Sequence, residues 1–236
     1  MIKGLIFDYG GTLDSRGIHW SEVIWDGYRE AAVPVTKEQF REAYVYAERE
    51  LARTRHILPH HTFRDLLDIK MRIELRYLAE QGLFTVRQAD QWVPVIAGYC
   101  YRFAKNCVEE ARMVLALLYN EYPIVLVSNF YGNIEAVLND FGIAKYFDKI
   151  VESAVVGVRK PDPQIFTLGV EALGLKPDEV LVVGDSYTKD IEPALKAGCH
   201  AVWLKGKGWT DKEDAIEYPH TIRKLGELLD SSILKN

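Results

Sequence analysis

Hydrophobic positions along the chain fall into two textures. Short runs at 4–7, 124–127, 180–183 and 201–204 are apolar without interruption, and a weaker one stands at 149–152. Unbroken apolar runs of this length predict strands buried on both faces. The stretches 110–119, 134–141, 163–173, 191–197 and 221–230 carry helical spacing instead. Strands alternating with helices predict an α/β fold, a mostly parallel sheet flanked by helices, with ligands at the carboxyl ends of the strands. Three runs lead directly into polar residues there: Asp8, Ser128 and Asp185.

The segment from about 15 to 106 has the second texture. It shows helical periodicity over 20–32, 37–53, 63–81 and 85–105, with no convincing buried strand. Pro34, Pro59 and Gly82 fall between these stretches as breakers, and Pro94 falls inside the last as a point for a kink. A helical block after the first strand predicts an inserted lid. The expected division is a core of 1–14 and 110–236 with a helical cap of 15–109. There is no internal repeat and no low-complexity tract.

With 48% hydrophobic residues in 236, the chain can bury a real core. Its formal net charge of -5 argues against a nucleic-acid or anionic-membrane surface, while leaving room for a locally positive site. No apolar run approaches the roughly 20 residues of a membrane span. Cys100, Cys107 and Cys199 follow no metal spacing, and an odd set of scattered thiols suits a reducing compartment. Met1-Ile2-Lys3 runs straight into the first strand, so no leader is expected, and the expected location is the cytoplasm.

Chemistry concentrates at four places in fixed order: Asp8-Tyr9-Gly10-Gly11-Thr12, Ser128-Asn129, Lys160 in Arg159-Lys160-Pro161, and Gly184-Asp185 with Asp190 following. Each motif alone is common in α/β proteins. In this order, with a helical insert after the first, they resemble the haloacid dehalogenase superfamily of hydrolases, in the subclass with a helical (C1-type) cap. The resemblance covers essentially the whole chain and implies a Rossmann-like core. It implies that Asp8 attacks phosphorus and forms an aspartyl-phosphate, a role for which a carboxylate needs no activating base at neutral pH. It further implies Mg²⁺ held by Asp8, the backbone carbonyl of Gly10 and Asp185, with Asp190 in support. Asp190 equally suits the N-cap of the following helix. Lys160 would offset the charge of the transferred group. Ser128, the Asn129 N–H, Gly11 and Thr12 would hydrogen-bond phosphoryl oxygens of a small phosphorylated metabolite.

One departure matters. Phosphatases of the family usually read Asp-x-Asp, the second aspartate serving as general acid and base; here Gly10 stands there. Three readings stay open. The chain is a Mg²⁺-dependent phosphatase whose proton comes from elsewhere, with Asp14, Tyr9, His19, Tyr187 and the cap histidines as candidates. Or it cleaves phosphonates through a Schiff base on a cap lysine, among Lys37, Lys70 and Lys105. Or it binds a phosphorylated ligand without turnover. Dehalogenation fits less well, because Gly184-Asp185 is intact. Retention of Asp8, Ser128, Lys160, Asp185 and Asp190 favours an enzyme.

In the cap, Arg53-Thr54-Arg55-His56-Ile57-Leu58-Pro59-His60-His61-Thr62-Phe63-Arg64 gathers basic residues around a helix break. An ordinary helix junction with Thr62 as N-cap explains it better than a substrate contact. Pro59 also spoils a zinc site on His56 and His60. Tyr28, Tyr44, Tyr46, Trp25 and Trp92 read as packing residues at helical spacing. Phe130-Tyr131-Gly132-Asn133, just past Ser128, is either a turn or a substrate contact.

Overall fold

The computed structural model describes residues 1–230 and Leu234; the rest of the expected core range, 231–233 and 235–236, lies outside the described residues. Its sheet is parallel throughout: β1 (Gly4–Phe7), β2 (Ile124–Ser128), β3 (Lys149–Glu152), β4 (Val180–Gly184), β5 (His200–Leu204) and β6 (Thr221–Ile222), in the order β3-β2-β1-β4-β5-β6. The predicted strands stand within a residue or so of the apolar runs. β1 lies in the middle, with Phe7 beside Leu126 on one flank and Val183 on the other. That register brings the ends of β1, β2 and β4, and hence Asp8, Ser128 and Asp185, to one edge of the sheet.

Both faces are covered. Ile6, Val125, Val127 and Val182 pack on one side against α7 (Gln164–Leu173). Leu5, Phe7, Leu126 and Val183 point to the other, where their apolar cluster continues into the cap through Phe63, Leu67 and Met71. Burial on both faces is what an uninterrupted apolar run requires of a strand.

The insert after β1 is helical: α1 (Trp20–Glu30), α2 (Lys37–Arg53), α3 (Phe63–Glu80) and α4 (Val86–Leu118). The last three each begin with a capping box, Thr36 with Gln39, Thr62 with Asp65 and Thr85 with Gln88. Such caps satisfy backbone donors that the helix leaves orphaned and are worth roughly 0.5–2 kcal/mol each. The expected helices at 85–105 and 110–119 are one helix. No breaker separates them, and Ala104, Cys107, Val108 and Ala111 carry one buried stripe across the junction. Residue 109, where the cap was expected to end, therefore lies inside α4, which also runs through Pro94.

The expected helix at 221–230 is a second correction. Thr221 and Ile222 add the edge strand β6, and residues Leu225–Leu229 form only a 3₁₀ turn. β-branched Thr221 and Ile222 favour the extended form, Gly226 weakens a helix, and the buried positions Ile222 and Leu228 do not share a helical face. Short helices α5 (Ile134–Asp140), α6 (Ser153–Val156), α8 (Glu192–Lys196) and α9 (Asp211–Asp214), with 3₁₀ turns at Ala144–Tyr146 and Pro177–Glu179 and a π turn at Tyr187–Ile191, complete the described elements.

Candidate active site

Asp8 leaves β1 at the centre of the sheet edge, and the chain turns at once. Leu13 N–H donates to the Tyr9 carbonyl at 2.8 Å and Gly17 N–H to the Gly11 carbonyl at 2.7 Å. Gly11 has φ +95°, and a Cβ there would stand 2.2 Å from an Asp185 carboxylate oxygen. Glycine is needed at 11 on both counts. Gly184 makes room in the same way for Asp190, whose Cβ would be 2.3 Å from any side chain at 184. These two glycines let the carboxylates crowd together.

The crowd consists of Asp8, Asp185 and Asp190, which offer oxygens within 4.8 Å of one another. Lys160, 4% exposed, reaches between them, 2.7 Å from Asp8 Oδ1 and 2.6 Å from Asp190 Oδ1. Three carboxylates face one ammonium. Burial pushes the Asp8 carboxyl up from its ordinary value against the pull of Lys160. Burial, with Asp190 and Asp8 beside it, pushes Asp185 well up. An all-oxygen donor set with surplus negative charge fits a hard divalent cation such as Mg²⁺. Asp190 already spends one oxygen on Lys160 and the other on the Ser186 N–H at 3.0 Å. That engagement suits an orienting role behind Asp8 and Asp185.

Asn129 shows a task that its motif did not reveal. Its side chain donates to the Lys160 carbonyl at 3.1 Å and accepts from the Lys160 N–H at 2.9 Å, which fixes the lysine loop against the end of β2. Thr12 likewise turns inward: it is fully buried and donates to Asp185 Oδ1 at 3.1 Å. It holds an acid of the cluster, and the walls facing the cavity come from Gly10, Gly11, Ser128, Asn129 and Lys160. Trp203 adds a further brace, donating from Nε1 to the Asp185 carbonyl at 2.6 Å.

Above these residues opens a cavity of about 1320 Å³, roofed by the cap. A Cβ placed at Gly10 would touch nothing within 4 Å. Of the candidate proton donors, Asp14 and His19 line this cavity, whereas Tyr9, Tyr187, His56, His60 and His61 do not. Asp14 is fully buried and accepts from the Gly11 N–H at 2.7 Å and the Trp20 indole at 3.1 Å; burial pushes it up to about 8. Burial, aided by Lys189 and Lys70, pulls His19 down to about 4, so at neutral pH it is an uncharged imidazole and a weak general acid. Tyr9 packs edge-on to Phe63 and Phe130 inside the core.

Among the three cap lysines, Lys37 pairs with Glu22 near the surface and Lys105 is exposed. Lys70 is different: 4% exposed, it lines the cavity and pairs with Glu48. Burial alone would lower its ammonium, but Glu48, Tyr44 and Tyr131 outweigh that and push it well up. A lysine held charged is a poor Schiff-base nucleophile. The basic segment after α2 is chiefly a helix junction. Glu50 takes up Arg53 and His56, Arg64 pairs with Asp68, and Asn133 of the core donates to the His61 carbonyl at 2.8 Å. Arg53 and Arg55 stand at the exposed mouth of the cavity. Trp209, in the loop after β5, lies 5.1 Å from His19 and 5.5 Å from Tyr44, under the Arg41 guanidinium at 4.8 Å; nothing in its sequence context pointed to it.

A parallel sheet with an acidic cluster and a buried lysine at its carboxyl edge, under an inserted helical roof, defines a class of capped α/β hydrolase. The model of the haloacid dehalogenase-like hydrolases matches residues 2–198, and the chain belongs to that family. A glyceraldehyde 3-phosphate phosphatase of Methanocaldococcus jannaschii is 42% identical over 96 residues, 40% of this chain and 41% of that one. A phosphoserine phosphatase of Thermus thermophilus is 36% identical over 107 residues, 44% of this chain and 40% of that one. The matches to these curated relatives thus span about two-fifths of their length. A solved 2-haloacid dehalogenase from Pseudomonas syringae pv. Tomato shares the fold, with a TM-score of 0.54 and 24% identity over 98% of this chain and 97% of that one.

Proposed function

We propose that this chain is a Mg²⁺-dependent phosphatase of a small phosphorylated metabolite, working through an aspartyl-phosphate on Asp8. The observation that carries the reading is the Asp8–Lys160–Asp190 chain of contacts beside Asp185, on the floor of a roofed cavity. The names of the two phosphatase relatives agree with it. Asp8, Asp185 and the Gly10 carbonyl would hold the cation, with Asp190 behind them. When bound, it supplies Lewis-acid and charge-neutralising chemistry at the phosphoryl oxygens.

The residues divide the rest of the work. Lys160 holds one Asp8 oxygen at 2.7 Å and leaves the other free to attack phosphorus. The bond from phosphorus to the ester oxygen breaks as the bond to Asp8 forms, and the leaving oxygen takes a proton. Ser128 and the Asn129 N–H stabilise the equatorial oxygens, whose charge Lys160 also offsets; the Gly11 N–H, expected among these donors, is taken by Asp14. Water then attacks the aspartyl-phosphate, releasing phosphate and restoring Asp8. The roof limits the water that reaches the ester while it is bound. Gly10 contributes no proton, so the leaving group must be good or must be served by another group, such as Asp14 at the cavity wall, or by water in the space that a side chain at 10 would fill. The buried, dispersed thiols Cys100, Cys107 and Cys199 support a cytoplasmic setting.

The test is turnover of p-nitrophenyl phosphate and a panel of phosphate monoesters with and without Mg²⁺, for the wild type and Asp8→Asn. We expect Mg²⁺-dependent release of phosphate and a loss of ~10³-fold or more in the variant. Full activity in Asp8→Asn would remove the nucleophile assignment.

A further inference from the structure

We propose that Lys70 and Glu48 form a second binding site in the roof of the cavity, one that takes the uncharged, hydroxylated end of a polyol or sugar phosphate and turns away esters with a charged tail. This inference rests on the phosphomonoester reading of the cavity floor.

A lysine on an ordinary helix face stands in water. Lys70, on α3, is 4% exposed, pairs with Glu48 of α2 and lies 4.2 Å over the Tyr44 ring. Tyr131, three residues past Ser128, donates toward both Glu48 oxygens at 3.3 Å. Two cap helices and a core loop therefore meet at one ion pair, its lysine buried and its carboxylate partly exposed. All four side chains line the cavity that holds Asp8. Joining helices does not call for charge: apolar residues of the same volume join them as well or better, because both ions must be desolvated. An ion pair kept inside a ligand cavity has a use that apolar side chains lack, namely hydrogen bonding to what the cavity holds.

The donor and acceptor inventory says to what. The Lys70 ammonium has three N–H groups and spends one on Glu48. The Glu48 carboxylate has about four lone-pair sites and two partners. A hydroxyl can accept from Lys70 and donate to Glu48 together, leaving the pair intact. A tail carboxylate or second phosphate would gain Lys70 but be pressed against Glu48. A tail ammonium would gain Glu48 but be pressed against Lys70. With Lys70 buried and Glu48 partly so, such like-charge contact discriminates between ligand tails. A vicinal diol, with two hydroxyls in reach, fits best.

The test reads binding, so it does not depend on turnover. Calorimetry with Mg²⁺ on the Asp8→Asn protein would compare sn-glycerol 3-phosphate, phosphoglycolate and phosphoethanolamine. Glycerol phosphate is expected to bind at least ~10-fold more tightly than either charged-tail ester, the worth of one well-placed hydrogen bond or charge contact. Adding Glu48→Gln should raise the affinity for phosphoglycolate relative to glycerol phosphate by ~10-fold. Adding Lys70→Met should do the same for phosphoethanolamine and not for phosphoglycolate. Circular dichroism checks that each variant is folded, and the two opposite shifts keep the test alive if one is not. A merely structural pair would weaken all three ligands alike and leave the ratios at the starting values, which would overturn the proposal. Equal binding of the three esters to the Asp8→Asn protein would overturn the roof site alone. No binding of any of them would overturn the phosphomonoester reading along with it.

Discussion

The two buried lysines, Lys160 on the floor and Lys70 in the roof, sit in contrasting company. Lys160 stands between two buried carboxylates, at 2.7 and 2.6 Å, in a pocket whose negative charge it only partly offsets. Lys70 has one carboxylate, Glu48, whose side chain is 38% exposed, and the face of Tyr44. The floor is over-supplied with negative charge and suits a cation and a phosphoryl group together. The roof is balanced and suits a neutral ligand end. A buried cation thus reports function through the charge left over around it, more than through its own burial.

The largest effect expected from this difference follows removal of each lysine. Lys160→Met leaves the buried Asp8 and Asp190 facing each other with no cation between them, and stranding a buried charge costs about 3–5 kcal/mol. Urea unfolding should show that loss, Mg²⁺ should restore part of it, and turnover should fall by ~10³-fold. Lys70→Met should cost less, about 1–3 kcal/mol, because solvent reaches the stranded Glu48. Equal losses at the two sites, unaffected by Mg²⁺, would erase the distinction between them.

A second prediction concerns a carboxyl that neither lysine serves directly. Glu74, one turn beyond Lys70, is fully buried; Tyr28 donates to it at 3.1 Å, and its other oxygen has no partner among the described residues. Burial pushes it up to about 8, against the pull of Lys70 and Tyr28, with Glu48 adding to the rise. Between about pH 4.5 and 8 the folded chain keeps a proton that the unfolded chain has released. The folded state therefore binds more protons, and stability must fall as pH rises through that window. Glu74→Gln, which can still accept from Tyr28, should remove the decline, gaining roughly 2–3 kcal/mol on the wild type between pH 5 and 7. Urea midpoints across that range check it. Parallel curves for the two proteins would mean that Glu74 is ionised in the fold.

The floor was legible in the sequence and the roof was not, for a physical reason. Strand ends in a parallel sheet are forced to one edge, so Asp8, Ser128 and Asp185 announce a shared site by position alone. Lys160 and Asp190 follow from the family pattern. The cap offers no such edge. Lys70 and Glu48 recur at helical spacing among solvated charges, and only the packing of α2 on α3 turns them inward. Asn129 and Thr12 were placed in the right neighbourhood, but their partners, the Lys160 backbone and Asp185, lie 31 and 173 residues away. The helix expected at 221–230 failed where local apolar spacing imitated a helix and an edge strand won through pairing with β5. The two helices expected on either side of 109 are one because no breaker stands between them.

The smallest effect belongs to Gly10, on the boundary between floor and roof. Its backbone is not in the left-handed region, and a Cβ there meets nothing within 4 Å. An aspartate at 10 can therefore be accommodated without strain, beside the leaving oxygen of an ester held on Asp8. General acid help is worth ~10²–10⁴ where proton transfer limits the rate. The gain should reach only ~10–10²-fold here, because the existing floor already crowds three carboxylates and a fourth will be harder to deprotonate for the second step. Gly10→Asp should raise kcat on alkyl phosphates such as glycerol phosphate and leave p-nitrophenyl phosphate nearly unchanged, since that leaving group departs without a proton. Because the change leaves Lys70 and Glu48 untouched, the ranking of ligands by tail charge should persist as the rate rises. A rate gain that also abolished the ranking would mean that floor and roof do not act separately.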